Sequence, residues 1–192
     1  MKNTKTKYLF LVVLGGRAEK ANIELHDVRW VVGSKIEDTY DLLRMDWFGT
    51  IQGLHIDSYK KINYVDGHKI NLKNIDSQKL KNNKFHKGKI PQKNLWFVNI
   101  GGYDPSSMQE KHEFGLVVAK SSLEAKNTAK SKWLSGYKKK HKDDITSLNK
   151  LVVLDDCELI KKIGNWEIEL IQDNNYVEET NFPDWFGYMR ID

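Results

Sequence analysis

The stretch LFLVVLGG at residues 9–16 returns as LWFVNIGG at residues 95–102, and this repetition decides the fold. The two copies continue without a gap at an offset of 86 residues, so residues 9–59 align with residues 95–145. Eleven of these 51 aligned positions are identical. A unit repeated at constant spacing is typical of a supersecondary structure that packs against its own copy. The sequence therefore predicts two pseudo-symmetric tandem repeats.

Composition favours a folded cytoplasmic protein. The 192 residues are 40% hydrophobic, which is enough to build a core. Cys157 is the single cysteine, so an intramolecular disulfide and a multi-cysteine zinc site are excluded. Lysines before the apolar run at residues 8–14 imitate a signal peptide, but the same pattern returns inside the chain. We expect a strand there and no membrane association.

Each repeat reads as strand, strand, helix, strand. In the first, an apolar strand at residues 8–14 precedes a second strand at residues 24–32. Ile36, Tyr40, Leu43 and Trp47 then recur at helical spacing, and Ala125, Ala129 and Trp133 repeat the plan in the second copy. The predicted class is α+β, with two ββαβ repeats in β-grasp-like order, a C-terminal β-hairpin and a tail.

Two capping boxes are predicted at the helix starts. Ser34 with Glu37, and Ser121 with Glu124, have the spacing at which a hydroxyl and a carboxylate satisfy the first amide donors of a helix. The paired glycines Gly15-Gly16 and Gly101-Gly102 are predicted to form tight turns after their strands.

The sequence divides into four segments. These are a first repeat (1–72), a Lys-rich linker (73–93), a second repeat (94–155) and a C-terminal hairpin with an acidic tail (156–192). Residues 155–192 contain ten acidic and three basic residues, a charge near −7, so the rest of the chain is near +12 for the total of +5. Such a split steers an anionic partner towards the front of the molecule, or lets the two ends attract each other.

Histidines paired with acidic residues are the main candidates for chemistry. His55 and Asp57 lie two residues apart at a strand start, and His141 and Asp143 repeat the pair. Imidazole and carboxylate are common ligands of Zn, Mn and Fe(II). These two pairs, together with His26 and His112 at the heads of other strands, form the candidate metal site: His26, His55, Asp57, His112, His141 and Asp143.

Each candidate has a structural alternative. His26 and His112 fall on the apolar face of their strands, where a histidine commonly caps the core edge and bonds a backbone carbonyl. Gly15, Gly16, Gly101 and Gly102 are candidate ligand-binding residues because paired glycines let amides approach a phosphate, but the dinucleotide fingerprint is absent. Lysines at 73–93 and 138–142 attract phosphate backbones without reading sequence, and arginines are few.

Several blocks resemble a bacterial family known as the domain of unknown function 1543. They are LGGRA (14–18), NIELHDVR (22–29), WFG (47–49) and LHIDSY (54–59) in the first copy, and VNIGGYDP (98–105), HE (112–113), VVA (117–119) and HKDD (141–144) in the second. The resemblance covers roughly residues 8–160 and implies tandem copies of a small domain in a soluble bacterial protein. It implies no activity.

The function is therefore open at the level of sequence. The leading hypothesis is a soluble non-catalytic module that binds a protein or small ligand, with no cofactor evident. The alternative is a metal-dependent, hydrolase-like enzyme that uses a divalent metal held by the repeat-paired His and Asp residues. A second alternative is weak, non-specific nucleic-acid binding through the Lys-rich segments, and specific nucleic-acid recognition is not expected. The sequence does not indicate an oligomeric state.

Overall fold

A computed structural model describes residues 5–75, 92–102, 108–133, 156–177 and 182–192. The chain is α+β, mostly sheet with few helices. It divides into two compact units, the first formed by residues 1–78 and 162–192 and the second by residues 79–161. No helix within these described ranges is long and apolar enough to cross a membrane.

The main sheet of the first unit has four antiparallel strands. In chain order they are β1 (Tyr8–Gly16), β2 (Leu25–Gly33), β3 (His55–Ile62) and β11 (Trp185–Arg190). The spatial order is β11-β3-β1-β2, so β1 is a central strand with neighbours on both sides. The expected strand at residues 8–14 is thus confirmed.

The helical segment between β2 and β3 covers one face of this sheet. It begins as a 3₁₀ turn (Ile36–Thr39) and continues as α1 (Tyr40–Asp46). The apolar stripe packs as expected: Ile36, Leu43 and Trp47 are buried in the core of the first unit, and Tyr40 packs against them. This core also contains Val12, Leu14 and Ile56 from the sheet.

A second sheet of the first unit contains the hairpins. Its strands are β4 (Tyr64–Val65), β5 (His68–Asn74), β9 (Lys162–Ile163) and β10 (Trp166–Gln172), in the order β4-β5-β10-β9. Asp66 and Gly67 have φ of 49° and 72°, the double left-handed conformation of a type I′ hairpin turn. The turns expected at Asp66-Gly67 and at Gly164-Asn165 are both present.

In the described residues of the second unit, the structure has a three-stranded sheet and one helix. The strands β6 (Asn94–Gly102), β7 (Lys111–Ala119) and β8 (Asp156–Ile160) have the order β7-β6-β8. Helix α2 (Ser122–Trp133) buries Ala125 and Ala129 completely, and Trp133 packs against the same core. These small side chains allow Trp133 to lie over Gly115, where a Cβ would come within 2.7 Å of the indole.

Two local expectations are corrected by the structure. Only the second capping box forms: Ser121 Oγ accepts from Glu124 N at 3.2 Å, whereas the first helical segment has Lys35 at its N-cap and no side-chain cap. The paired glycines lie within β1 and β6 rather than in turns, and none of the four has a positive φ. Strand β8 pairs with β6 in the second unit, and residues 162–192 belong to the first unit.

Most of the Lys-rich linker, residues 76–91, lies outside the described residues, as does the basic run at 138–142.

Candidate functional site

A row of three residues crosses the main sheet of the first unit at one end. Gly15 of β1 is paired with His26 of β2 on one side and with His55 of β3 on the other. Directly opposed residues of antiparallel strands project from the same face of a sheet. Because Gly15 has no side chain, the row leaves room above Gly15 for neighbouring side chains. A Cβ at Gly15 would come within 2.5 Å of His55 Nε2, which shows how fully His55 occupies this space.

A β-bulge places Asp57 beside the same space. Val13 pairs with Ser58 and Leu14 pairs with Ile56, so Asp57 is an extra residue of β3 with no partner on β1. The pairing of β3 with β11 is irregular at the same level, between Phe186 and Met189. Bulges re-aim side chains and often occur next to functional sites. Here Asp57 Oδ2 lies 3.0 Å from the Cβ position of Gly15, so the carboxylate enters the gap in the row.

Four side chains meet at this point and form what we call the imidazole–carboxylate cluster: Glu24, His26, His55 and Asp57. His55 Nε2 lies 3.2 Å from Asp57 Oδ1 and 3.4 Å from Glu24 Oε1. His26 Nε2 lies 3.3 Å from Asp57 Oδ2 and 3.9 Å from Glu24 Oε2. Each carboxylate therefore faces both imidazoles through their Nε2 atoms.

The inner histidine has a fixed orientation. The side chain of His55 is 1% exposed, and its ring stacks on Tyr188 with centroids 3.9 Å apart. His55 Nδ1 lies 2.8 Å from the carbonyl oxygen of Gly53. A carbonyl only accepts hydrogen bonds, so Nδ1 carries the proton of this bond. Nε2 is thus the atom that His55 presents to the two carboxylates.

A second layer of polar contacts holds the Gly53 turn. Asp192 Oδ2 accepts a hydrogen bond from Gly53 N at 3.0 Å, and Arg190 donates to both oxygens of Asp192 at 2.9 and 2.6 Å. The hydrogen bond from Arg190 and the amide of Gly53 lower the pKa of Asp192 well below its usual range. The same pair raises the pKa of Arg190. The chain Arg190–Asp192–Gly53 therefore positions the carbonyl that orients His55.

The chemistry of the cluster follows from the tautomer of His55. With Nδ1 protonated, a neutral His55 directs the lone pair of Nε2 at two carboxylates, and this arrangement is repulsive. A positive charge between Nε2 and the carboxylates removes the repulsion. A metal cation bound by the same atoms supplies such a charge.

The structure brings together half of the expected metal-ligand set. His26, His55 and Asp57 meet in the first unit. His112 is in the second unit, where its Nε2 lies 3.7 Å from Glu110 Oε2. His141 and Asp143 lie outside the described residues. The side chains of His26 and His112 are 54% and 47% exposed.

Glu24 is the member of the cluster that the sequence analysis did not include. It immediately precedes β2, and its side chain is 43% exposed. Two signals in the sequence point to it: it is two residues from His26, and Glu110 repeats it beside His112 at the same offset of 86.

The glycines expected to contact a ligand have other neighbours. Gly15 lies between β2 and β3 under His55, and a Cβ at Gly16 would come within 2.9 Å of Trp47. Phosphate binding at paired glycines requires free amides, whereas the backbone of a central strand is directed at its neighbours. The absence of a Cβ therefore makes room for an imidazole and an indole. Gly101 and Gly102 lie in β6 opposite His112 and Lys111.

Within the described ranges, no group of three or more His, Cys, Asp or Glu side chains has the geometry of a preassembled metal site. The cluster is closed by its own imidazole–carboxylate contacts.

Comparisons with known proteins agree with the duplication. The family described as Domain of Unknown Function (DUF1543) matches residues 21–72 and 107–157, two segments separated by the same offset as the repeats. A crystal structure of the protein Il1583 from Idiomarina loihiensis is similar, with 32% sequence identity, a TM-score of 0.68, and coverage of 97% of this chain and 99% of that chain. No curated protein matches the chain. The family segments span more than half of the sequence and contain all four cluster residues, so the chain belongs to the DUF1543 family.

Proposed function

We propose that the first repeat binds a divalent transition-metal ion, with Zn²⁺ as the reference case, at the imidazole–carboxylate cluster, and that the protein is a non-catalytic metal-binding module. The observation that carries this proposal is the orientation of His55. Its Nδ1 is bonded to the Gly53 carbonyl, and its Nε2 faces Asp57 and Glu24. Metal-ligating histidines commonly donate the other ring N–H to a carbonyl or carboxylate in this way.

The donor set fits such an ion in kind and spacing. Two imidazoles with one or two carboxylates suit Zn, Mn and Fe(II). Ligands at about 2.0–2.1 Å from a tetrahedral ion are about 3.3–3.4 Å from one another. Three of the four imidazole–carboxylate separations in the cluster are 3.2–3.4 Å, and the fourth, between His26 and Glu24, is 3.9 Å.

The exposed side chains of the cluster are free to move apart and admit a metal ion. His55 is buried and fixed, whereas Glu24 and His26 are about half exposed and Asp57 is 30% exposed. Rotation of the exposed side chains opens the contacts that close the cluster, and the ion enters from the solvent side. Because metal ions and protons compete for imidazole and carboxylate ligands in general, the affinity for the ion is expected to rise with pH.

The test is calorimetric titration of chelator-treated protein with Zn²⁺ alone. We expect saturable binding that Asp57→Asn and His26→Gln each weaken by more than the about 10- to 100-fold that loss of an outer-shell partner costs. Glu37→Gln is the matched control, because Glu37 is a half-exposed carboxylate away from the cluster. Absence of saturable binding, or equal losses in Asp57→Asn and Glu37→Gln, would overturn the proposal.

The second repeat carries the same residue types at the same offset. Glu110 and His112 are together in the second unit, and the sequence adds His141 and Asp143. We extend the proposal to this copy, with each copy a ββαβ unit of β-grasp-like order in a cytoplasmic protein. Two ions per chain, reduced to one by Asp57→Asn, is the expected stoichiometry.

A metal-dependent hydrolase is the second candidate function. The exposure of Glu24 and His26 favours it, because an ion held there stays accessible to water and to a substrate. The test is hydrolysis of phosphate and carboxylate esters by the Zn²⁺-loaded protein, compared with loaded Asp57→Asn. Turnover that disappears with Asp57→Asn supports the enzyme, and equal background rates leave the non-catalytic module.

A further inference from the structure

A cleft of about 650 Å³ lies in the first unit, beside the place where the chain passes from one sheet to the other. Its lining comes from the start of β1 and the residues before it (5–9), from the connection between β3 and β4 (62–64), and from β5 (69–72). The imidazole–carboxylate cluster is at the opposite end of β1, where Gly15 lies roughly 23 Å of strand away from Tyr8. The cleft and the cluster are therefore separate sites.

The edge of β5 that lines this cleft has unpaired backbone groups. In the described residues β4 pairs with β5 only at His68 and Lys69. Ile70 N then donates to the carbonyl oxygen of Asn63 at 2.8 Å, on the side of β5 away from β10. Because alternate residues of an antiparallel strand direct their backbone groups to the same side, Leu72 presents its N–H and C=O to this side as well. No residue in the described ranges hydrogen-bonds the Leu72 amide there, so this edge is open to a further strand.

The two faces of β5 differ in character at this edge. Ile70 and Leu72 are half-buried apolar residues on one face, and the register of β5 against β10 places the half-buried Trp166 on the same face. Lys69 and Asn71 project from the opposite face. A strand added to this edge alternates in the same way, so every second side chain meets the apolar face and the others meet the face with Lys69.

The lining of the cleft is basic. It includes Lys5, Lys7 and Lys69 and contains no Asp or Glu. Lys7 makes a long contact with Asp38, at 3.9 Å. Lys5 and Lys69 have no ion pair or side-chain hydrogen bond with any residue that the structure describes. Uncompensated lysines around a concavity attract an anionic partner.

The acidic side chain opposite Asn71 already has partners of its own. Glu169 of β10 is directly across from Asn71 in the register. It accepts hydrogen bonds from Lys73 and from Asn71, and these bonds lower its pKa. Glu169 therefore pairs with Lys73 and leaves the charge of Lys69 uncompensated.

We propose that the cleft binds an acidic segment of a partner protein, which adds to the free edge of β5 as an extended strand with acidic and apolar side chains in alternation. In strand addition, main-chain hydrogen bonds give affinity and the places for alternate side chains give specificity. The three lysines select an acidic partner, because charges across an interface are complementary. The volume of about 650 Å³ suits a short segment of chain.

The first test is calorimetric titration of the full chain, at low ionic strength, with a capped hexapeptide in which Glu and Val alternate. We expect saturable binding of this peptide and none of the matched peptide in which Lys replaces Glu. Alternate amides of an extended peptide face the same edge. N-methylation of one alternate set of amides should therefore weaken binding by at least about 10-fold through lost hydrogen bonds, whereas methylation of the other set has little effect.

The second test changes the charge of the cleft. Lys5→Gln/Lys69→Gln should weaken peptide binding by about 5-fold or more, because each exposed ion pair contributes up to about 5-fold in affinity. Lys20→Gln/Lys130→Gln is the matched control, with less than about a 2-fold effect. Lys20 and Lys130 are exposed, lie outside the cleft and have no ion pair in the described part of the chain.

The third test removes the backbone donor. Leu72→Pro deletes an N–H that the ladder between β5 and β10 does not use, and proline is tolerated at such edge positions. Peptide affinity should fall by about 5-fold or more while circular dichroism stays that of the wild type, whereas Leu72→Val, which keeps the amide, should change it by less than about 2-fold. If Leu72→Pro does not fold, the methylated peptides and the lysine variants decide the question.

Three results would overturn the proposal: absence of saturable binding, equal losses in the cleft and control lysine variants, or equal effects of the two methylated peptides. Hexathymidylate that binds as tightly as the acidic peptide would also overturn it, because the cleft would then attract any polyanion. Asp57→Asn lies outside the cleft and should bind the peptide as the wild type does. Failure of the metal proposal is therefore distinguishable from failure of this one.

Discussion

Substitution of Gly15 by alanine tests whether glycine is required at this position because His55 and Asp57 occupy the place of its side chain. The added Cβ lies 2.5 Å from His55 Nε2, 2.9 Å from His55 Cε1 and 3.0 Å from Asp57 Oδ2. His55 has little freedom to move away, because it is 1% exposed, bonded to Gly53 and stacked on Tyr188. We therefore expect strain in the imidazole–carboxylate cluster rather than a simple side-chain rotation.

The magnitude follows from overpacking. An extra carbon forced into a filled site costs about 1–3 kcal/mol. Without the clash, alanine in a strand is more stable than glycine by roughly 0.5–1 kcal/mol. Gly15→Ala should therefore lower the free energy of unfolding, whereas in a His55→Ala background the same change should be neutral or stabilising. The expected coupling between the two sites is about 1–3 kcal/mol, the cost of the clash, because the preference for alanine is present in both backgrounds and cancels.

Urea unfolding of the four proteins, followed by tryptophan fluorescence and circular dichroism, measures this cycle. Zn²⁺ titration of Gly15→Ala adds a functional readout, because displacement of His55 Nε2 should weaken binding by more than the about 10-fold typical of a lost outer-shell contact. A Gly15→Ala protein that is as stable as wild type, or that loses the same stability with and without His55, would refute the close approach as the reason for glycine.

Four further predictions concern other parts of the chain. The lowered pKa of Asp192 means that its pairing with Arg190 stabilises the fold above the unfolded pKa of about 3.9 and is lost as pH falls towards the folded value. Acid titration of Asp192→Asn should therefore show a shallower loss of stability below pH 4. Burial raises the pKa of the Cys157 thiol, so Ellman's reagent at neutral pH should react faster with urea-unfolded than with folded protein. Ser121→Ala should cost about 1 kcal/mol in thermal unfolding because a formed cap is lost. Ser34→Ala should be neutral or stabilising, because Ser34 Oγ is buried without a hydrogen-bond partner among the described residues.

The sequence predicts the fold where a strong periodic signal exists. Ile36, Leu43 and Trp47 are buried as their spacing indicates, and Asp66-Gly67 forms the expected turn. Short motifs such as a capping box predict local structure less well, because contacts made in the folded protein compete with them. The Ser34 box fails because Asp38, rather than Glu37, bonds the Ser34 backbone amide at 3.0 Å. The pairing of residues far apart in sequence, such as β11 with β3, has no local signal.

The candidate site was predictable in part. The spacing of His55 and Asp57 places both on one strand, and the repeat identifies His26 with them. The sequence does not reveal the bulge at Asp57, because a bulge depends on the register of β3 against β1. It also does not show that Gly15 lies between the two histidines, since that depends on which strands are neighbours. The cluster can therefore be recognised only once the pairing of β1 with β2 and β3 is known.

The identities between the two copies separate into two groups once the first unit is known. Six belong to its packing, because they are buried or, for glycine, lie against a buried indole: Leu9, Val12, Gly16, Val31, Val32 and Trp47. The other five are the cluster and the glycine that makes room for it: Gly15, Glu24, His26, His55 and Asp57. Packing explains identity at buried apolar positions, but Glu24 and His26 are about half exposed and bury little apolar surface. Their recurrence at the same offset is therefore better explained by a shared chemical role, and the arrangement of Nε2 and carboxylate atoms is the basis on which we propose cation binding as that role.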